Sequence, residues 1–280
     1  MIIDIHTHYI DYETEMSAAI KADIARCGIS EDGWKNCVKN YLHATSAADV
    51  SFIFGIRAKA TGWMSDNEKV AAFARGQRPG RCIFVASIDP MDDGYMEQLV
   101  YAHMVLGAKM LKLGPIYQGL HPYDEKYRHI YAYCQKHNIP IITHMATTFA
   151  SGVPLDYARP VLMDAIACEY PRLKIILAHL GHPWESETIA IIRKQPNVYA
   201  DISALYYRPW QFYNSMRLLE EYGAHDKVFF GSDYPATTTE DSLAGIRNIN
   251  ASVSSIPLPP VSNEMIEGII YRNPIEILEM

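Results

Sequence analysis

Histidines stand at the ends of several apolar runs in this sequence, and their positions indicate a shared metal ion. His6 and His8 are two residues apart at the end of the first run, and the two-residue repeat of a strand points both imidazoles to one face. His144 ends the fifth run, His179 ends the sixth and Asp233 follows the eighth. Imidazole nitrogens with one carboxylate form a ligand set typical of a catalytic zinc or a similar divalent cation.

Each of these residues has a simpler explanation when it is taken alone. A single histidine at a strand end is more often a hydrogen-bonded core residue, and Gly231-Ser232-Asp233 is more often a turn. All five residues nevertheless occur at the end of a predicted strand, which unrelated structural roles would not require. We therefore predict that the five residues hold a divalent cation between them.

The order of the elements predicts how these strand ends meet. Eight short runs are rich in Ile, Val and Phe and often continuous, as buried parallel strands are. Amphipathic stretches with helical spacing lie between several of them, which predicts parallel pairing with right-handed crossovers. The runs are Ile2–His6, Ser51–Ile56, Cys82–Ile88, Ala108–Leu113, Pro140–His144, Leu173–His179, Val198–Ile202 and Val228–Gly231.

We expect one (β/α)8 TIM barrel domain over residues 1–280, because this length suits a fold that typically takes about 250 residues. An open doubly wound sheet is the alternative, but the Gly-rich phosphate turn that it normally carries after the first strand is missing. The segment Tyr9–Asp49, with two weak helical patterns, is predicted to be a long first βα loop over the catalytic rim. Ile266–Leu278 is predicted to form a closing helical region.

Composition narrows the class of partner. The formal net charge is -7, which disfavours nucleic acid and anionic membrane but leaves room for a small anionic substrate. Five scattered cysteines form no Cys-x-x-Cys pair, so buried thiols in a reducing compartment are expected. The N-terminus lacks a signal-peptide pattern, and no apolar run approaches the roughly 20 residues of a membrane span. We expect a cytoplasmic protein.

Several segments together carry a family resemblance. They are Asp4-Ile5-His6-Thr7-His8, the strand-end residues His144 and His179, Asn197-Val198-Tyr199-Ala200-Asp201-Ile202-Ser203, Gly231-Ser232-Asp233-Tyr234-Pro235 and Tyr271-Arg272-Asn273-Pro274-Ile275-Glu276-Ile277-Leu278. From residue 1 to about residue 279 the chain resembles the amidohydrolase superfamily. The branch is the one that includes aminocarboxymuconate-semialdehyde decarboxylase and related metal-dependent hydrolases. The resemblance implies one divalent cation, Zn²⁺ or alternatively Mn²⁺, and a homodimer.

The resemblance also assigns roles to the strand-end residues. His6, His8, His144 and Asp233 would bind the metal directly. The residue matching His179 tends to touch the reacting water or the substrate in members with one metal, and it is a ligand in members with two.

Lys112 and two acidic residues extend this assignment. Lys112 ends the fourth strand, where a carboxylated lysine bridges two ions in some members of the superfamily. We favour one ion, with Lys112 paired to a carboxylate or binding substrate. Asp4 and Asp201 are predicted to be structural or to orient ligand imidazoles through the other ring nitrogen.

Candidate substrate-binding residues follow other strands. Arg57 comes after the second strand and could clamp a carboxylate with two hydrogen bonds, or form an ordinary ion pair at the rim. Arg208, which follows the seventh strand, and Trp184, which follows the sixth, could shape the pocket. Ordinary packing of the long loops is the alternative for the aromatic residue.

The favoured function is hydrolysis of a small ester, lactone or amide, including carboxylate-bearing ones, by water activated at the cation. Asp233 would act as the base, and His179 would stabilise the oxyanion or act as an acid. Non-oxidative decarboxylation of an unsaturated or aromatic acid is the alternative, because the same ligands serve both reactions. A non-catalytic barrel is a third hypothesis, disfavoured because structural metal sites usually fill every coordination position, often with Cys.

Overall fold

An eight-stranded parallel sheet lies at the centre of the computed structural model, which describes residues 1–255 and 257–280. Consecutive strands pair in chain order, and each of the eight predicted runs overlaps one of them. The strands are β1 (Ile3–His8), β2 (Val50–Phe54), β3 (Cys82–Ser87), β4 (Met110–Leu113), β5 (Ile141–Thr143), β6 (Ile175–Leu177), β7 (Val198–Asp201) and β8 (Val228–Phe229).

The sheet closes because the segment after β8 returns to β1. The amide of Asp233 donates to the carbonyl oxygen of His6 at 2.8 Å, and the amide of His8 donates to the carbonyl oxygen of Tyr234 at 2.8 Å. Gly231 permits this approach, since a Cβ at that position would lie 2.9 Å from the Cβ of His6. The predicted TIM barrel is confirmed.

Helices surround the barrel, and several begin at a side chain that accepts a hydrogen bond from the first turn, as Asp66 and Asp124 do. The longer α-helices are Ala18–Arg26, Cys37–Ala44, Asn67–Arg75, Tyr95–Met104, Glu125–Lys136, Leu162–Glu169, Glu185–Lys194, Pro209–Tyr222, Thr239–Arg247 and Asn263–Ile270. Shorter ones are Tyr12–Glu15, Asp32–Lys35, Pro115–Gln118, Ile249–Ser252 and Pro274–Ile277, with 3₁₀ helices at Leu155–Ala158, Ala178–Gly181 and His225–Lys227. Among the described residues, no helix combines the length and the apolar character needed to cross a bilayer.

The first βα loop holds four helices rather than the two patterns predicted from the sequence. Its helix Ala18–Arg26 is fastened to the loop after β5: Asp23 accepts a hydrogen bond from the amide of Ser151 at 2.8 Å, and Arg26 donates to the carbonyl oxygen of Phe149 at 2.7 Å. A two-stranded antiparallel hairpin, Arg57–Ala58 with Trp63–Met64, follows β2. The loop therefore lies over the carboxyl ends of the strands.

The C-terminus closes the opposite end of the barrel. Leu278 is fully buried and packs into the cluster that fills the barrel interior, together with Ile5, Phe52 and Phe229. Lys174, just before β6, donates to the carbonyl oxygen of Leu278 at 2.8 Å. The rim at the carboxyl ends of the strands is consequently the end left for a site.

Replacing this closing residue tests the arrangement. Leu278→Ala should lower the free energy of unfolding by about 2–5 kcal/mol, because it leaves a cavity in the barrel interior. Leu155→Ala is the control, since Leu155 is 49% exposed and its truncation should change that free energy by about 0.5 kcal/mol or less. Urea denaturation followed by far-ultraviolet circular dichroism measures both, and equal losses would contradict the role of Leu278.

Candidate metal centre

The strand-end residues predicted from the sequence lie together at the open rim. Oδ1 of Asp233 is 3.4 Å from Nε2 of His6 and 3.2 Å from Nε2 of His8. Nε2 of His179 is 3.2 Å from Nδ1 of His144. The potential ligand atoms of His6, His179 and Asp233 all lie within 4.8 Å of one another. His8 joins this group through Asp233, and His144 joins it through His179.

Unusual backbone conformations present two of these side chains. His179 has φ 58°, Asp233 has φ 64° and Ala204, between them in the chain, has φ 60°. Residues other than glycine rarely adopt this left-handed region, and they do so mainly where the surrounding structure enforces it at functional sites. His6 and His8 need no such strain, because alternate residues of β1 already face the same side.

Hydrogen bonds on the outer side of the rings leave lone pairs facing inward. Nδ1 of His6 is 2.9 Å from Oδ2 of Asp201, so that nitrogen donates and Nε2 keeps its lone pair. Nε2 of His144 is 3.1 Å from the carbonyl oxygen of Thr147. A carbonyl oxygen can only accept, so Nδ1 of His144 is the unprotonated nitrogen.

Burial keeps the imidazoles neutral. It lowers the pKa of His6, His8, His144 and His179 well below 6.5, with the charge of Lys112 adding to the shift. Neutral imidazole is the form that binds a metal ion. Ligand atoms about 2.0–2.2 Å from one ion lie roughly 3–4.4 Å apart, a spacing that the inward-facing atoms approach. The residues therefore fit a divalent cation.

Two charged side chains flank the imidazoles. Burial raises the pKa of Asp233 well above its ordinary value, although the charge of Lys112 opposes the shift. Nζ of Lys112 lies 3.3 Å from Nε2 of His6, and burial lowers the pKa of this lysine to about 8. A second ion bridged by a carboxylated Lys112 stays a hypothesis.

Of the two acidic residues predicted to orient imidazoles, one contacts a ring. Asp201 accepts from His6, as the prediction requires. Asp4 instead accepts from the amide of Ser232 at 2.9 Å and from the hydroxyl of Thr239 at 2.7 Å. Asp4 therefore takes the structural alternative, because it fixes the backbone next to Asp233.

The strand-end side chains His6, His8, His144, His179 and Asp233 are called the cluster below. A cavity of about 610 Å³ opens above this cluster. Its floor includes His8, Lys112, His144, His179 and Asp233. Aromatic and apolar side chains form much of the remaining wall, together with one imidazole and one guanidinium group. These residues are Ile29, Trp34, Ile56, Trp63, Tyr117, Phe149, Tyr207, His182 and Arg208. The cavity is thus largely apolar, and Ser30, Thr147 and Thr148 add polar groups to those of the cluster and Arg208.

Arg208 is the predicted cation that the structure places at the cavity wall. Its guanidinium lies 4.5 Å from the ring centre of Tyr207 and donates to the carbonyl oxygen of Ala204. Within residues 1–255 and 257–280, no carboxylate forms an ion pair with it. Burial lowers the pKa of His182 to about 4, and the charge of Arg208 adds to the shift, so this neighbour is a neutral imidazole.

Arg57 and Trp184 do not line the cavity. Arg57 forms an ion pair with Asp92, because the chain after β2 turns at once into the antiparallel hairpin. The Trp184 ring instead packs against Arg159, whose guanidinium carbon is 5.6 Å from the ring centre. Both residues thus make the alternative contacts that the sequence left open, an ion pair for Arg57 and ordinary packing for Trp184.

Four residues near the cluster were not predicted: Trp34, Trp63, Phe149 and Ser203. The three aromatic residues come from the first loop, the hairpin and the loop after β5, where the sequence has no periodic signal. For Ser203 the sequence did offer a signal. It follows Asp201 by two residues, the spacing that places two side chains on the same side of a strand.

Comparisons with known proteins agree with this architecture. A family model described as Amidohydrolase matches residues 3–280. The search of curated proteins finds no match. An uncharacterised TIM-barrel protein from Bordetella bronchiseptica superposes with a TM-score of 0.72 at 20% identity, covering 99% of this chain and 98% of that one.

Two further solved structures carry activities in their descriptions. A probable 2-pyrone-4,6-dicarboxylic acid hydrolase from Acinetobacter baumannii, with citric acid bound, has a TM-score of 0.65 at 16% identity and covers 100% of this chain and 99% of that one. A dihydroxybenzoic acid decarboxylase from Polaromonas sp. JS666, with manganese and the inhibitor 2-nitroresorcinol, has a TM-score of 0.64 at 14% identity and covers 99% and 96%. At these identities the likeness shows the fold.

Metal addition tests the cluster directly. Zn²⁺ or Mn²⁺ added to chelator-treated protein should raise the unfolding temperature, because an ion at 100 times its Kd stabilises the folded state by about 2.7 kcal/mol. For this chain length, about 1 kcal/mol corresponds to roughly 2–4 °C. Differential scanning fluorimetry and metal analysis after desalting measure the effect.

His6→Ala should abolish the shift, whereas His129→Ala should preserve it, since the His129 side chain is 55% exposed on an outer helix. An equal rise in the His6 variant, or none in the wild type, would show that the ion does not bind here.

Proposed function

Because this chain belongs to the amidohydrolase family, we propose that it is a metal-dependent hydrolase of a small, carboxylate-bearing ester, lactone or amide. The observation that carries the proposal is the position of Asp233. Its Oδ1 faces the imidazoles of His6 and His8, while its side chain remains 17% exposed at the floor of the cavity. A carboxylate so placed can hold one oxygen toward a metal ligand set and offer the other to a reacting water.

The cation proposed for this site is Zn²⁺, with Mn²⁺ as the alternative. A divalent ion supplies a Lewis acid for a substrate oxygen and lowers the pKa of water. His6, His8, His144 and Asp233 are the proposed ligands. His179 is proposed as a fifth ligand, in place of the contact with water or substrate that the resemblance implies for members with one metal, because its ligand atom lies within 4.8 Å of those of His6 and Asp233.

Asp233 is the proposed general base. Burial raises the pKa of this carboxyl group, and a carboxylate in an apolar site is a stronger base than one in water. It would take the proton of the attacking water and return it to the leaving group. Trp34 and Trp63 line the cavity above and limit the access of bulk water to the site.

The substrate carboxylate is assigned to Arg208. In the described part of the chain no carboxylate pairs with this guanidinium, and a guanidinium of that kind at an apolar wall can bind a carboxylate with two hydrogen bonds. The imidazole of His182 lines the same cavity and can add a neutral hydrogen bond. Lys112 is the other cation of the cavity, and its amine contacts His6.

Decarboxylation of an aromatic acid is the second candidate, and the cavity wall is the observation that favours it. Trp34, Trp63, Tyr117 and Phe149 line the cavity, and flat aromatic faces can stack on a planar acid. Apolar surroundings also destabilise a carboxylate relative to neutral CO₂. Of the two structures named above that carry an activity in their description, one is a probable hydrolase and the other a decarboxylase.

Isotope labelling separates the two reactions. The metal-loaded protein is incubated in H₂¹⁸O with carboxylate-bearing esters and lactones and with hydroxybenzoates. We expect ¹⁸O in the product carboxylate without release of CO₂, and a loss of about 100-fold or more in Asp233→Asn, which removes the base. Mass spectrometry of product and headspace gas is the measurement.

The exposed residue Asp156 provides a matched control, and Asp156→Asn should retain full activity. CO₂ release without ¹⁸O incorporation would replace the hydrolase with the decarboxylase. Full activity of the Asp233 variant would remove the proposed base.

The role of Arg208 is tested by comparing two arginines. Arg208→Gln should raise KM for the carboxylate-bearing substrate by about 10-fold or more, since a charge-assisted hydrogen bond contributes about 1.5–3 kcal/mol. Arg57→Gln should leave KM unchanged, because Arg57 pairs with Asp92 outside the cavity. Steady-state kinetics with the carboxylate substrate and its methyl ester measure both, and an equal effect on the two substrates would argue against carboxylate recognition.

A further inference from the structure

Ser203 connects the buried carboxylate Asp201 to the ring of His179. Its Oγ is 2.7 Å from Nδ1 of His179 and also contacts Oδ1 of Asp201 at short range. Asp201, Ser203 and His179 are all buried. One carboxylate therefore reaches two imidazoles: His6 directly, and His179 through a hydroxyl group.

The hydrogen bonds around Asp201 determine where the protons lie. Oδ1 of Asp201 accepts from the amide of His179 at 3.1 Å and from the amide of Ser203 at 3.0 Å, and Oδ2 is 2.9 Å from Nδ1 of His6. The two backbone amides can only donate, so Oδ1 is an acceptor, and it also accepts the hydroxyl proton of Ser203. A hydroxyl group has one proton, so its oxygen must accept from Nδ1 of His179.

We propose that Ser203 is a positioning residue that fixes His179 as the Nδ1-protonated tautomer and thereby makes it a metal ligand. Nε2 of His179 then keeps its lone pair toward the cluster. It faces Nδ1 of His144, which is also unprotonated because Nε2 of that ring donates to the carbonyl oxygen of Thr147. Two lone pairs 3.2 Å apart repel each other unless a cation lies in front of both.

Loss of the hydroxyl group has a specific consequence. Without an acceptor at Nδ1, His179 can carry its proton on Nε2 instead. That proton would point at Nδ1 of His144 and join the two imidazoles by a hydrogen bond. The two rings would then satisfy each other, and a metal ion would have to break this pair before binding.

The test compares Ser203→Ala, Ser203→Thr and a control. Ser51→Ala is the matched control, because Ser51 is equally buried and its hydroxyl accepts from Arg81 at 2.7 Å at the far end of the barrel. Long-range ¹H–¹⁵N NMR of the imidazoles reports the tautomer of His179 in the metal-free protein. Competition with a chromophoric chelator reports the Kd for Zn²⁺ and Mn²⁺.

We expect Nδ1-protonated His179 in the wild type and in Ser51→Ala. Ser203→Ala should shift the proton to Nε2 and raise the Kd by about 10-fold or more, the usual effect of removing a group that orients a ligand. Ser203→Thr retains the hydroxyl and should restore both readouts. A merely structural role would lower thermal stability in both alanine variants without changing the tautomer.

The inference rests on the proposed metal centre, and the two fail in different ways. Wild-type protein that binds the ion tightly with Nε2-protonated His179, or Ser203→Ala with an unchanged Kd, would overturn the role of Ser203 alone. Wild-type protein with the expected tautomer that binds neither ion would overturn the metal centre and, with it, the ligand role of His179.

Discussion

The pair of backbone hydrogen bonds between β1 and the segment after β8 is the constraint on which the site depends. The amide of Asp233 is held by the carbonyl oxygen of His6, and the amide of His8 by the carbonyl oxygen of Tyr234. Together these bonds close the barrel and place the carboxylate of Asp233 next to the imidazoles of His6 and His8. Any change that loosens this seam would therefore separate the proposed ligands while the other strands remain paired.

Two buried acidic side chains stabilise this seam, the contact between β1 and the segment after β8. Asp4 fixes the amide of Ser232 and so the approach to Asp233, whereas Asp201 holds the ring of His6 and, through Ser203, that of His179. Buried carboxylates are costly unless every lone pair is used. Asp201 meets this requirement with donors from backbone, hydroxyl and imidazole groups. It therefore holds the rings that face the cavity in fixed positions.

The sequence carried enough information for the barrel and for its strand-end histidines. Runs of buried residues repeat along the whole chain, and parallel pairing forces their carboxyl ends to one rim, so that His6, His144 and His179 had to approach one another. The hydrogen bonds of the individual imidazole rings were harder to predict from the sequence. They depend on groups such as the backbone carbonyl oxygen of Thr147, which the spacing of ligands along the chain does not reveal.

The cavity wall was less predictable, for a different reason. Trp34 and Phe149 reach it from loops whose course is set by contacts between distant segments, such as the hydrogen bond from Arg26 to the carbonyl oxygen of Phe149. The sequence left the role of Arg57 open between a substrate contact and an ion pair, because its position after β2 is compatible with either direction. The antiparallel hairpin and Asp92 decide that it faces away from the cavity.

The two candidate reactions place opposite demands on water in the same cavity. Hydrolysis needs one water next to Asp233, whereas decarboxylation benefits when water is excluded from the substrate carboxylate. The first βα loop forms part of the cavity wall, since Trp34 lies in it and Asp23 and Arg26 fasten it to the loop after β5. Arg208 bears on this choice, because a guanidinium that held the substrate carboxylate in its ionised form would stabilise the ground state and slow the loss of CO₂. The proposed hydrolase would therefore recognise the substrate carboxylate at Arg208 and use Asp233, at the floor of the cavity, as its base.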